Sequence, residues 1–435
     1  MLENLARPGL AIVIIKVANA VMTLIISVAV ARILGASEFG RYSFAYAAIT
    51  LLIIVVQLGL PDFVARETAI ADRNRREDQK LLLWRWTHIV VLVWSFAILT
   101  FILMLLWSFS TLSELTTAFV WGLPLLVLVA LVRVHRGILQ GLGRVVVGQF
   151  FDLILRPLVF IAVLAGVALT VSHPALDAES MMLFHLVAAA TATGVGGMMI
   201  LKVVPKGQVP IKIATGEYSI WLLSAATLGS ITVVQVFNAQ IGLIVLGFLQ
   251  PPDQTGIFKV AVTGASLVAF GLQAVSITIV PQISKLYEAG QIRRLQYLVT
   301  ISSRMIMLTA LMLATILVVF GNLMLEVLFG ADFTGANLPM RILIAGHVGG
   351  AVFGPVLVLL NMSGREKDSL RGVGIALFVC VGLNFTLVPA FGINGAAAAA
   401  ALTMIILNWV LWRSAVKQLG VNSLVLLRTK MLPKS

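Results

Sequence analysis

Long apolar runs follow one another along this chain, separated by short gaps that are polar or carry glycine and proline. A helix needs about 20 apolar residues to cross a bilayer core of about 30 Å. Twelve stretches meet that requirement: 9–31, 42–60, 86–107, 118–138, 146–171, 176–201, 221–249, 256–279, 298–320, 338–360, 370–390 and 394–416. The gaps include Gly35-Ala36-Ser37-Glu38, the charged stretch Asp72 to Lys80, Pro205-Lys206-Gly207, Pro251-Pro252-Asp253 and Ser363 to Asp368. An open sheet does not fit this pattern, because lipid offers unpaired backbone groups no partner. The first stretch is too long for a signal-peptide core and lacks a small-residue cleavage site, so it is expected to be retained. The pattern predicts an all-α membrane protein of twelve transmembrane helices.

Composition agrees with this reading. Hydrophobic residues make up 60% and charged residues 11% of the chain, with a mean hydropathy of +1.04. A soluble domain has about 45–50% apolar and about 25% charged residues. The single cysteine, Cys380, excludes a disulfide framework or a thiolate metal cluster. The net charge of +13 would suit a nucleic-acid binder if it formed one stripe. Its placement argues otherwise. With the N-terminus in the cytoplasm, most Lys and Arg fall in cytoplasmic connections, and both termini are predicted inside. Arg32, Arg41, Lys259 and Arg341 fall on the outer side, while Lys16 and Arg156 lie within spans. Charge spread over separate segments points to anionic headgroups of the bilayer and to no nucleic-acid partner.

The spans hint at duplication. Lys16-Val17-Ala18-Asn19-Ala20 in span 1 aligns with Gln235-Val236-Phe237-Asn238-Ala239 in span 7, and Leu24-Ile25 with Leu243-Ile244. Gly40-Arg41-Tyr42 aligns with Gly256-Ile257-Phe258 at the start of spans 2 and 8. Leu139-Gln140-Gly141-Leu142-Gly143-Arg144 aligns with Leu360-Asn361-Met362-Ser363-Gly364-Arg365 after spans 4 and 10. Three matches in one order predict two parallel six-helix bundles, residues 1–210 and 211–435, with a route lined by spans 1, 2, 7 and 8.

Arg32-Ile33-Leu34-Gly35, then Glu38-Phe39-Gly40-Arg41-Tyr42 and Ala45, resembles the opening of polysaccharide biosynthesis flippases. These are lipid-linked oligosaccharide (O-antigen type) flippases of the multidrug/oligosaccharidyl-lipid/polysaccharide exporter superfamily. Leu58-Gly59-Leu60, Arg66, Gly364-Arg365 and Pro389-Ala390-Phe391-Gly392-Ile393-Asn394-Gly395-Ala396-Ala397 are similar to that family too. The resemblance implies alternating access, an undecaprenyl-diphosphate-linked glycan as cargo and residence in the cytoplasmic (inner) membrane. Other polysaccharide-assembly membrane proteins become candidate partners, and a parallel repeat points to a self-sufficient monomer. Two departures stand out. Span 8 opens on Gly256-Ile257-Phe258 rather than Gly-x-Tyr, and the tail after Trp412 has no room for the two further helices common in the lipid II branch.

Charged and amide residues inside spans are the candidate substrate groups. Lys16 and Asn19 share a helical face, as do Gln235 and Asn238. Together with Gln57, Arg66 and Gln273 they offer a cation and amides to a diphosphate or to sugar hydroxyls. Alternatively, Lys16 snorkels to headgroups and the amides join helices. Asp152 and Arg156, four apart in span 5, suit either a structural ion pair or a coupling carboxylate. Arg66, Arg85, Arg133, Arg136 and Arg304 lie near predicted cytoplasmic helix ends and are expected mainly as topology signals or headgroup contacts, with one or two lining the inner mouth where a lipid diphosphate would enter. His88, His135, His173, His185 and His347 show no ligand spacing, so neither a metal nor a cofactor is expected. Pro124, Pro157 and Pro355 should kink their spans. Short outer loops without paired carboxylates argue against an enzyme. The competing function is a cation-coupled multidrug antiporter of the same superfamily, depending on Asp152.

Overall fold

The computed structural model describes residues 2–108, 114–170, 176–203 and 215–425. The Pro205-Lys206-Gly207 gap and His173 lie outside them. Among the described residues the chain is helical throughout, without a strand. The first part runs α1 Leu2–Gln57, α2 Leu60–Arg73, α3 Glu77–Ser108, α4 Glu114–Gly122, α5 Leu125–Gly141 and α6 Val145–Phe150. A π-helical turn over Phe151–Leu155 leads into α7 Arg156–Thr170, followed by α8 Ala178–Leu201. The rest comprises α9 Thr215–Leu249, α10 Pro252–Ser266, α11 Phe270–Glu288, α12 Ile292–Leu328, α13 Asn337–Ala351, α14 Val356–Met362 and α15 Glu366–Leu419.

Nine helices among the described residues are long and apolar enough to cross a membrane, or ten if the bent Ala331–Ala351 and Val356–Met362 pair is one span. Two of them each hold two predicted stretches, because the expected gaps are single breaks in long helices. In α1 the break is Gly35, at φ 71° and ψ 176°. In α15 it is Gly392, at φ 55° and ψ −132°. Glycine alone reaches such angles without a Cβ penalty. The prolines also mark breaks. Pro124 separates α4 from α5, Pro157 follows the π-helical turn, and Pro355 caps α14 at a 45° bend.

The described chain forms two compact units. The first comprises residues up to Leu34 and Arg41–Val236; the second comprises Gly35–Gly40 and Phe237 onward. The first core is built from residues such as Leu60, Phe63, Leu83, Trp84, Val134, Ile138 and Phe151. In the second, Ile283, Leu295, Val299, Leu359, Leu360 and Leu411 pack together.

The aligned sequence segments have distinct structural meanings. Gly143 and Gly364 both take positive φ, and each ends its helix with the same pair of bonds. Arg144 and Gly143 donate to the Leu139 and Gln140 carbonyls, and Arg365 and Gly364 to those of Leu360 and Asn361. Gly290 and Gln291 repeat these bonds after α11, so that likeness is ordinary helix-ending chemistry. The Gly40 and Gly256 match is different. Both residues lie in the second unit, where a methyl on Gly40 would stand 1.7 Å from the Pro252 carbonyl oxygen and 3.0 Å from the Gly256 nitrogen. A methyl on Gly256 would stand 2.2 Å from the Ala36 oxygen. The two glycines bring their helices into backbone contact.

Candidate functional site

The polar centre of the first unit is built on Asp152. The π-helical turn places this carboxylate: the Arg156 amide reaches back to the Phe151 carbonyl, one residue further than in an α-helix. Such single-turn insertions often occur at functional sites. Asp152 is 4% exposed and is surrounded by guanidinium groups. Arg136 Nη1 donates to Oδ2 at 2.9 Å, Arg156 Nη1 lies 3.5 Å from Oδ1, and Arg133 Nε lies 3.8 Å from Oδ2. Arg133 also donates to Gln57 Oε1 at 3.1 Å, across from the end of α1.

Arg133 and Arg136 are more than topology signals or headgroup contacts: both converge on Asp152 from α5. Residues 133 and 136 share one helical face, and α5 packs against the turn that carries Asp152. Spacing along a single helix could reveal only the Asp152–Arg156 pair. The contact made between helices was invisible to that rule.

The centre carries surplus positive charge, since one carboxylate serves three guanidiniums. Their side chains remain 26%, 25% and 17% exposed for Arg133, Arg136 and Arg156. Two donors, Arg136 Nε and Gln57 Nε2, are buried without a partner among the described residues. A buried cationic cluster with spare donors favours an anion, and guanidiniums match phosphate oxygens in pairs.

The remaining sequence candidates are dispersed. Lys16 is exposed and Asn19 half-buried on α1, in the first unit, while Gln235 on α9 is exposed in the same unit. Arg66 is exposed, pairs with Glu67 at 2.9 Å and sits 5.9 Å over the Phe63 ring. In the second unit, Asn238 donates to the Val373 carbonyl at 3.4 Å and Gln273 is exposed.

Sequence spacing also overlooked the histidine contacts. His88 and His135 come from separate helices, yet their Nε2 atoms lie 3.1 Å apart. His185 and the Tyr42 hydroxyl are hydrogen-bonded at 2.7 Å, with Tyr46 stacked on the same imidazole. No group of three metal-capable side chains occurs among the described residues.

With this geometry established, comparison with known proteins narrows its meaning. The family model described as polysaccharide biosynthesis protein matches residues 5–287. A relative from Haloferax volcanii, the probable low-salt glycan biosynthesis flippase Agl15, is 26% identical over 173 residues, which cover 38% of this chain and 35% of the relative. The match thus spans about a third of that relative's length. Among solved structures, an inward-facing multidrug resistance MATE family transporter of the MOP superfamily aligns with a TM-score of 0.76 at 13% identity, covering 92% of this chain and 94% of that one. The lipid II flippase MurJ, in an inward closed conformation, aligns at 0.72 with 12% identity, covering 93% and 87%. At such identities these likenesses establish the shared fold.

Proposed function

Because the chain belongs to the polysaccharide biosynthesis protein family, we propose that it moves a polyprenyl-diphosphate-linked oligosaccharide from the cytoplasmic to the outer leaflet of the inner membrane. One observation carries this reading: three partly open guanidiniums surround one buried carboxylate and leave positive charge over. A diphosphate supplies the missing negative charge, and spare donors at Arg136 and Gln57 suit its oxygens. Sugar hydroxyls suit the amides of Asn19, Gln235, Asn238 and Gln273, with Lys16 as a further cation. Transport proceeds by alternating access of two six-helix bundles in a monomer of twelve spans, with both termini cytoplasmic. The breaks at Gly35 and Gly392 and the bend at Pro355 support that count.

A multidrug antiporter would need Asp152 available to an organic cation. Here Arg133, Arg136 and Arg156 already occupy its surroundings, and a second cation would be repelled. In proteoliposomes holding a fluorescent undecaprenyl-diphosphate glycan, the intact protein should expose label on both leaflets. Arg133→Gln combined with Arg136→Gln should slow this at least tenfold. Cation-coupled efflux of an organic dye, with no movement of the lipid, would reverse the assignment.

A further inference from the structure

Five side chains of the first unit form a second cluster that the diphosphate centre does not use. Trp86 in the third turn of α3, Trp221 and Tyr218 near the start of α9, and Phe63 of α2 contact one another. The Trp86 and Trp221 rings meet edge to face at 5.3 Å, Trp86 stacks on Tyr218 at 6.3 Å, and Phe63 lies 6.0 Å from Trp86 and 6.3 Å from Trp221. Arg66, paired with Glu67, stands over the Phe63 ring. Phe63 is buried, but Trp86, Tyr218 and Trp221 each keep part of their surface open.

The cluster borders the first core, to which Phe63 belongs and against which Trp86 and Trp221 pack, but its polar atoms are left open. The Trp84 indole donates to Thr68 and the Trp412 indole to Asn422. Neither the Trp86 and Trp221 indole N–H groups nor the Tyr218 hydroxyl makes a hydrogen bond among the described residues. Partly open aromatic faces, three unengaged donors and a guanidinium therefore occur together. A pyranose ring matches that set: its C–H face stacks on an aromatic ring, its hydroxyls accept from indole N–H groups, and an attached phosphate pairs with arginine. Trp86 and Trp221 also open spans 3 and 7 on the side that the charge pattern assigns to the cytoplasm, where the lipid-linked glycan would enter.

We infer that Trp86, Trp221 and Tyr218, with Arg66 beside them, form an aromatic platform that recognises the sugar nearest the diphosphate of the lipid-linked glycan. The inference rests on the proposed flippase function and adds a sugar subsite to it. Binding to the full-length protein in nanodiscs tests it with two probes: undecaprenyl diphosphate, and the same lipid carrying one N-acetylglucosamine. The intact protein should bind the sugar-bearing lipid about tenfold more tightly. Trp86→Ala with Trp221→Ala should abolish that preference while leaving affinity for the bare lipid unchanged. Trp86→Phe with Trp221→Phe, which keeps the faces and removes the N–H donors, should retain part of it and guards against a folding defect. Arg133→Gln with Arg136→Gln should weaken both probes alike. Equal binding of the two lipids by the intact protein would overturn the platform while leaving the flippase reading in place. Equal loss of both probes in the alanine and phenylalanine variants would assign the cluster to packing or to anchoring at the bilayer surface. If the intact protein bound neither lipid, the flippase reading and the platform would fall together.

Discussion

The two compact units bury polar groups among apolar helices by different chemistry. The first concentrates charge, with Asp152 facing Arg133, Arg136 and Arg156. In the second, Lys259 of α10 aside, the buried polar side chains among the described residues are neutral. Asn384, 1% exposed, donates to the Cys380 carbonyl at 2.8 Å, and Asn238 reaches Val373. One ion pair there, Asp368–Arg371 at 3.9 Å, involves an arginine side chain that is 79% exposed. A charge in a membrane interior is costly and tends to be kept for a task, whereas an amide bonded within its own helix is a packing element. This contrast agrees with the proposed anion site in the first unit.

The contrast predicts unequal sensitivity. Asp152→Ala leaves three guanidiniums facing one another and should cost about 3–5 kcal/mol of stability. Asn384→Leu keeps volume and removes an amide whose Oδ1 is already unpartnered among the described residues, so it should change stability by less than about 1 kcal/mol. Thermal unfolding of the two purified variants in detergent decides the matter. Comparable losses would mean that the centres do the same structural work.

Within the second unit the sensitive point should be backbone contact. Gly256→Ala drives a methyl to 2.2 Å from the Ala36 carbonyl oxygen and should cost about 1–3 kcal/mol. Gly364→Ala meets only open space, so its cost of about 1 kcal/mol comes from positive φ alone. If both alanine variants unfold at the same temperature, the close approach of the Gly40 and Gly256 helices contributes nothing beyond turn chemistry.

A smaller effect belongs to the aromatic stack of the first unit. Tyr42→Phe removes the 2.7 Å bond to His185 while keeping the stacked ring, and should cost about 1 kcal/mol. The same change at Tyr46, which contacts His185 through its ring, should cost less.

Apolar length was the most legible signal, because a bilayer demands the same run of residues wherever it is crossed. Among the described residues each predicted stretch falls mainly on helix, with breaks inside three of them at Gly59, Pro124 and before Val356. The gaps were harder to interpret: at Gly35 and Gly392 one glycine supplies the break that a loop was expected to make. The centre was legible in part. Asp152 and Arg156 are neighbours on one helix, and a period rule finds them. Arg133, Arg136 and Gln57 reach the same carboxylate from other helices, and nothing in their local sequence encodes which helices pack. His88 with His135, and Trp86 with Trp221, were hidden for the same reason.

The remaining effect concerns helix starts and acid. In the second unit α10, α12, α13 and α15 begin on Pro251, Gln291, Ala336 and Arg365 without a side-chain cap. In the first unit Asp177 caps α8, accepting from the Ser180 amide at 2.9 Å and its hydroxyl at 2.6 Å. Partial burial pushes the Asp177 carboxyl up, but the Ser180 bonds outweigh it and hold the group below the ordinary carboxylate range. A carboxyl depressed in the folded state stabilises fully above its unfolded value near pH ~4 and loses that contribution as pH falls through the folded value. Asp177→Ala should therefore lower stability by about 1 kcal/mol near neutral pH, and the gap from the intact protein should narrow on acidification below pH ~4. Asp177→Asn retains an acceptor at the cap without the titration, so its stability relative to the alanine variant should stay flat with pH. Unfolding temperatures of the three proteins at neutral and acidic pH separate these outcomes. A gap between the intact and alanine proteins that widens in acid would show that the carboxylate disfavours the start of α8.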